Sequence, residues 1–444
     1  EVNIKINNKR RRGQARRRRV RRPYLSIVTY LFPIPLSLNC RIEAHNPAYG
    51  KEISVCIPNP AYGNEMSVCI TNPTYMLGLT PPPELEYHYP YVRKARQRQA
   101  DPPHQSLQLR GLSAKLNAET LAQVLQPIKE TFNSTDYPKL LIGLDSADDA
   151  AVWKLDERHS LVITTDFFTP VVDNPYDYGA IAAANSLSDV YAMGAKPFLA
   201  LNIAAFPPNL PQEISKAIVR GAAEKCREAG VVVAGGHTIT DNEPKFGLVA
   251  IGIAETEKIL TKGGAKPGDH LFISKPLGFG VTTTALKKGL TTEEEVREVG
   301  TWMKRLNHQA AQLALDCELK SVTDITGFSL LGHACEIAQA SQVGLELSFQ
   351  QIPLIGSARK YADAYTFPGG ASDNFLWFGS QVSFDPALKD SDQMLLFDPQ
   401  TSGGLLLSVP EEKLQNFQQL ASQRSLPMWE IGRVTDLSGI QILL

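Results

Sequence analysis

The chain has 444 residues, 43% hydrophobic and 20% charged, with a formal net charge of −1. That length holds roughly two to three domains, and the composition excludes collagen-like, wholly disordered and small disulfide-stapled classes. The near-neutral total hides two opposite parts. Residues 1–110 carry 18 Lys+Arg against 7 Asp+Glu, and the remainder carries 27 against 39. The total therefore gives no ground for a nucleic-acid or membrane partner, and neither is expected.

Nine of the first 22 residues are arginine, including Arg16 to Arg19. The apolar stretch 24–38 that follows imitates a membrane anchor, but its 15 residues fall short of the about 20 a spanning helix needs. Pro33 and Pro35 break it further. Next, Asn46-Pro-Ala-Tyr-Gly50 and Ser54-Val-Cys-Ile57 recur 13 residues later as Asn59-Pro-Ala-Tyr-Gly63 and Ser67-Val-Cys-Ile70. This period is shorter than that of repeats that stack into a core. Thirteen of the 30 prolines precede residue 110, and the first residue is Glu rather than Met. Residues 1–110 are expected to be a disordered extension, with a translated non-coding repeat as one origin for it.

Downstream, a helix over 117–132 shows Leu121, Val124, Leu125 and Ile128 on one face. A loop with Gly143, Asp145, Ser146, Asp148 and Asp149 leads to strands at 150–155 and 161–165, with Asp166 at the end of the second. An alanine-rich helix over 179–193 stops at Gly194. A strand at 198–206, a helix at 212–229 and a strand at 231–234 follow, the last running into Gly235-Gly236-His237. After a strand at 246–254, a domain boundary is expected near residue 262. The second half shows a strand at 270–274 and helices at 292–316 and 330–340. Strands at 344–349, 393–397 and 404–409 follow, then a helix at 411–422 and strands at 429–434 and 440–443. The fold class is α+β, with an N-terminal domain over 111–262 and a C-terminal domain over 263–444. Cys226, Cys317 and Cys335 have no metal-ligand spacing, so a reducing cytoplasm is expected.

The chemistry concentrates in aspartates scattered at element ends, Asp148, Asp149, Asp166 and Asp324, with Asp189 within the alanine-rich helix. Any one alone reads first as a turn residue or helix cap. The adjacent pair Asp148-Asp149 is harder to dismiss, because like charges repel unless a cation or solvent screens them. Asn185 and Asp189, four apart, share a helix face beside Ala182, Ala183 and Ala184. Mg²⁺ takes such oxygen ligands together with substrate phosphates. Gly235-Gly236-His237 could cradle phosphate or form a plain tight turn. His237 and His333 have no zinc-like partners, and neither a P-loop nor a Gly-x-Gly-x-x-Gly motif occurs.

Several longer strings are specific in combination: Asp148-Asp-Ala-Ala-Val152, Thr164-Thr-Asp-Phe-Phe-Thr-Pro170, Asn185-Ser-Leu-Ser-Asp-Val-Tyr-Ala-Met-Gly194, Ala234-Gly-Gly-His-Thr238, Thr323-Asp-Ile-Thr-Gly-Phe-Ser-Leu-Leu-Gly-His333 and Asp398-Pro-Gln-Thr-Ser-Gly-Gly404. On these, residues 111–444 resemble the selenophosphate synthetase (selenide, water dikinase) family of the aminoimidazole-ribonucleotide-synthetase-like superfamily. The resemblance implies a two-domain fold, a homodimer, and Mg²⁺- and ATP-dependent conversion of selenide and water to selenophosphate, AMP and phosphate. It further implies Asp149, Asp189 and Asp324 as magnesium ligands, with Ser146, Ala147, Asp148, Asp166 and Asp189 lining the ATP site. Gly235, Gly236 and His237 would reach the nucleotide through a dimer-related loop, and Lys115 would lie on the phosphates. One position departs from the pattern. The family ordinarily has Cys or selenocysteine three residues before that lysine, where this chain has Leu112, and Leu109 holds the other common cysteine position. Leucine offers no thiol to hold selenide. A catalytically silent ATP-binding paralogue or a damaged gene product is thus the alternative. A purine, thiamine or hydrogenase-maturation relative is disfavoured by 164–170 and 398–404.

Overall fold

The computed structural model describes residues 41–44, 52–59, 64–71, 118–132, 134–146 and 148–444. The chain divides into two units, Glu1–Gln105 and Ser106–Leu444. In the first, β1 (Arg41–Ala44), β2 (Glu52–Asn59) and β3 (Asn64–Thr71) form an antiparallel sheet. The two copies of the repeat pair with each other, so that Val55 lies opposite Val68, Ser54 opposite Cys69 and Cys56 opposite Ser67. Ile53, Val55 and Ile57, like Met66, Val68 and Ile70, alternate with polar or small residues at the period of a strand.

The second unit opens with α1 (Ala118–Thr131), then β4 (Leu140–Ile142), β5 (Ala151–Lys154) and β6 (His159–Phe168). Next come α2 (Pro175–Ala192), β7 (Lys196–Phe206), α3 (Gln212–Glu228), β8 (Val232–Thr240) and β9 (Lys245–Glu255). The strands make a six-stranded sheet in the order β4-β5-β6-β9-β7-β8. All its neighbours are antiparallel except β7 and β8. Its residues alternate cleanly: Val162, Leu248 and Ala250 are buried, while Trp153, Ile163, Phe167, Phe198, Leu201 and Ile253 remain 36–50% exposed. Helix α2 packs on the buried face, against β6 and β9. It begins four residues earlier than its alanine run suggests, because the Asn174 side chain accepts the Asp177 N–H at 3.1 Å and Pro175 occupies the first turn. It ends at Met193, with Gly194 at φ 69°. Helix α3 crosses α2 at glycines: a Cβ on Gly179 would stand 1.8 Å from the Ile218 carbonyl oxygen, and one on Gly221 2.0 Å from that of Tyr176.

The rest of the unit contains β10 (His270–Ile273), α4 (Phe279–Lys287), α5 (Glu293–Lys304), α6 (His308–Asp316), β11 (Val322–Asp324), α7 (Ser329–Ser341) and β12 (Gly344–Ser348). It continues through α8 (Ala358–Asp363), α9 (Gly369–Phe378), β13 (Val382–Phe384), α10 (Asp390–Leu396), β14 (Leu405–Val409), α11 (Glu411–Gln423), β15 (Trp429–Thr435) and β16 (Gly439–Leu443). These strands form a seven-stranded mixed sheet in the order β11-β14-β10-β15-β12-β16-β13. Leu405, Leu407 and Val409 of β14 enter one hydrophobic core and Leu406 another, so the strand is apolar without alternation. Two expectations fail here. The segment 393–397 lies mostly in α10 rather than in a strand, since a short apolar run fits either element. The single helix expected over 292–316 is two, broken where the Asn307 amide donates to Ser188 Oγ at 2.8 Å and the Gly403 carbonyl at 2.9 Å.

Candidate active site

The aspartates singled out in the sequence come from four separate segments, and the fold gathers four of them. β6 presents Thr164 and Asp166 to the helix side, and α2 presents Asn185 and Asp189 back to it. Thr164 Oγ1 donates to Asp189 Oδ2 at 2.6 Å, and the Asn185 amide donates to Asp166 Oδ2. Asn185 Oδ1 also accepts the Ser402 N–H at 2.8 Å, tying this helix to the 398–404 loop. The small side chains Ala182 to Ala184, all buried, allow this close packing. Asp189 keeps a partly open edge on a helix whose other residues from Tyr178 onward are buried.

β11 brings Asp324, 1% exposed, against α2. In the preceding position Thr323 Oγ1 donates to Asp149 Oδ1 at 2.9 Å, and Lys262 Nζ reaches the same oxygen at 2.9 Å. The other oxygen, Asp149 Oδ2, is buried without a hydrogen-bond partner. Burial pushes the Asp189 carboxyl well above its ordinary range, and the charges of Asp324, Asp166 and Asp149 push it the same way. Asp148 is raised to about 6, first by burial and then by Asp149, with Lys262 opposing. Lys262 offsets part of the repulsion among these four acids at Asp149, and a cation is the partner that would neutralise more of it.

Among the described residues, no group of three or more His, Cys, Asp or Glu side chains is arranged to hold a metal ion. The donor set nevertheless fits Mg²⁺, which is typically held through one or two carboxylates and completed by water and phosphate oxygens. The buried, unshared Asp149 Oδ2 is the clearest such donor.

The remaining sequence candidates are placed differently. Ser146 is exposed, its Oγ donating to the Gly143 carbonyl at 3.4 Å. Ala147, Lys115 and Leu112 lie outside the described residues. Gly235, Gly236 and His237 are not a turn or loop but part of β8, the edge strand. The pairing of β7 with β8 slips between Ala200 and Asn202. A Cβ on Gly236 would stand 2.2 Å from the Asn202 carbonyl oxygen, so the glycine permits this approach. β9 and β7 separate β8 from β6, a span of about 14 Å at ordinary strand spacing. Within one chain these three residues are therefore not brought to Asp166. Sequence reasoning missed Lys262 altogether, because a single lysine in a linker carries no signal until the linker is folded.

Residues 147–254 match the family model described as AIR synthase related protein, N-terminal domain, and residues 266–443 match its C-terminal domain. The chain is 44% identical over 329 residues to the selenide, water dikinase of Carboxydothermus hydrogenoformans, covering 74% of this chain and 94% of that protein. It is 45% identical over 327 residues to the selenide, water dikinase of Caldanaerobacter subterraneus subsp. tengcongensis, covering 73% and 93%. The crystal structure of thiamine monophosphate kinase from Aquifex aeolicus shares the fold, with a TM-score of 0.53 at 21% identity over 74% of this chain and 98% of that one.

Proposed function

The chain belongs to the selenide, water dikinase family, and from that premise we propose that it makes selenophosphate from selenide, ATP and water, releasing AMP and phosphate. The observation that carries the reading into this molecule is the convergence of Asp149, Asp166, Asp189 and Asp324 from separate segments of both family-matched regions. A catalytically silent paralogue finds no support in relatives of this identity and coverage.

Asp149, Asp189 and Asp324 hold Mg²⁺ in this proposal, and Asp148, Asp166, Ser146 and Ala147 line the nucleotide. The bound ion supplies charge neutralisation at the phosphate oxygens. The chain's own part is orientation. Thr164 and Asn185 fix the carboxylates of Asp189 and Asp166 by hydrogen bonds, so little reorganisation is needed when a triphosphate arrives. Lys115 contributes a point charge to the phosphates.

The partner is a second copy of the chain, seated on the open face of the six-stranded sheet. Trp153, Ile163, Phe167, Phe198, Leu201 and Ile253 make that face broadly apolar. A partner there gives Gly235, Gly236 and His237 of one copy a route to the acids of the other, which they do not reach in their own. The boundary between the two domains is placed at residue 262, between β9 and β10, giving 111–262 and 263–444. A cytoplasmic location accords with the buried thiols Cys226, Cys317 and Cys335. No helix among the described residues is long and apolar enough to cross a membrane.

Purified protein incubated with ATP, MgCl₂ and selenide under anaerobic conditions tests the reaction. Phosphorus NMR is expected to show selenophosphate, AMP and phosphate appearing together. AMP formation that does not depend on selenide, or none at all, would refute it.

A further inference from the structure

Lys262 lies in the segment between β9 and β10, and its surroundings are unusual for a linker residue. Its backbone is pinned beside β11: Val322 N–H donates to the Thr261 carbonyl at 2.8 Å, Thr261 N–H donates to the Lys320 carbonyl at 3.1 Å, and Ser321 Oγ donates to the Lys262 carbonyl at 2.8 Å. The ammonium is 2.9 Å from Asp149 Oδ1 and 2.8 Å from Glu336 Oε2, with all three side chains largely buried. Glu336 projects from α7, where His333 Nδ1 meets the same carboxylate oxygen at 3.0 Å and His333 Nε2 lies 3.3 Å from Thr326 Oγ1. A chain of polar contacts thus runs from α7 through Lys262 to Asp149, and Thr323 adds a second donor to the same Asp149 oxygen.

The division of labour on Asp149 follows. Both donors take Oδ1, and Oδ2 is left buried with its lone pairs unshared. A buried carboxylate oxygen in that state is costly unless something binds it.

We propose that Lys262, braced by Glu336, is a positioning residue that pins one oxygen of Asp149 so that the other is presented to a divalent cation. The proposal rests on the reading of Asp149 as a magnesium ligand. It adds to that reading a residue that touches neither metal nor nucleotide.

Binding of a non-hydrolysable ATP analogue to the full chain, measured calorimetrically while MgCl₂ is varied, tests it. Lys262→Met keeps the aliphatic stem and removes the charge. It is expected to raise the MgCl₂ concentration for half-maximal binding about tenfold or more, as loss of an outer-sphere partner commonly does. Lys262→Arg, retaining the charge, is expected to stay within about threefold of wild type. Should Lys262→Met fail to fold by circular dichroism, Glu336→Gln takes its place. It leaves the lysine but loosens its brace, and an increase of about threefold is expected. A wild-type midpoint in the folded Lys262→Met, or in Glu336→Gln where that stands in, overturns the proposal when Asp149→Asn does shift the midpoint. Equal shifts in the Met and Arg variants, with equally lowered melting temperatures, also overturn it, since only a structural role predicts them. If Asp149→Asn leaves the midpoint unchanged, the ligand reading fails and takes the proposal with it.

Discussion

Asp189 sits where charge is least welcome, on a buried helix and facing three other carboxylates. Removing its charge therefore separates function from stability. Asp189→Asn is expected to lower turnover at least about a hundredfold. Its melting temperature without metal should equal or exceed that of wild type, because a repulsion is relieved. Thermal unfolding of metal-free protein, read beside selenide-dependent AMP release, checks both halves. A lowered melting temperature would mean that the carboxylate is structural. Leu112 poses the opposite question, since it lacks a group rather than carrying a costly one. Leu112→Cys is expected to raise selenophosphate formation about tenfold at limiting selenide by supplying a thiolate. Equal rates in the two proteins would show that the chain manages the chemistry without that thiol.

At the scale of elements, the crossing of α2 and α3 sets where Asn185 and Asp189 point. Gly179→Ala forces a methyl group to within 1.8 Å of the Ile218 carbonyl oxygen. A loss of about 3 kcal/mol in unfolding free energy is expected, measured by urea titration. The strand β10 depends on a different kind of contact. Burial alone would lower the pKa of His270, but hydrogen bonds to Glu411 and Glu430 outweigh it and raise the pKa. A raised folded-state pKa stabilises fully below the unfolded value of about 6.5 and loses that contribution as pH climbs through the folded value. The urea midpoint of wild type should therefore exceed that of His270→Gln at pH 6 and converge with it by pH 9. The gap stays below about 1 kcal/mol, because Glu411 is largely exposed. A gap that widened with pH would contradict this sign.

Much of this level is legible in the sequence. The alanine run and Gly194 announce α2, and its true start is written in Asn174 and Pro175. The strands β6, β7 and β9 declare themselves by β-branched and apolar residues. The segment 393–397 does not, because five apolar or amide residues fit a buried strand and a short helix alike. The acids of the site are visible as aspartates in and between the elements, yet spacing alone cannot say that four of them meet. Lys262 and Glu336, 74 positions apart, become a pair only once the linker lies beside β11 and α7.

For the whole molecule, the open face of the six-stranded sheet predicts association. One chain weighs 48.7 kDa, and light scattering on the wild type is expected to give about twice that mass. Ile163→Glu places a charge in the middle of the apolar face and should return the mass to that of one chain. A variant still of double mass would locate the interface elsewhere.

Helix α2 has a consequence for how this protein wears out. Fourteen of its 18 residues are buried, so its amides belong among the slowest to exchange with deuterated solvent, opening only when the whole unit opens. Asp189, one of the proposed magnesium ligands, rides on the part of the chain expected to yield last. Heating should therefore leave Asn185 and Asp189 in place through partial loosening of loops and edge strands elsewhere. Exchange at the Asn185 and Asp189 amides and global unfolding should then fall on the same temperature curve.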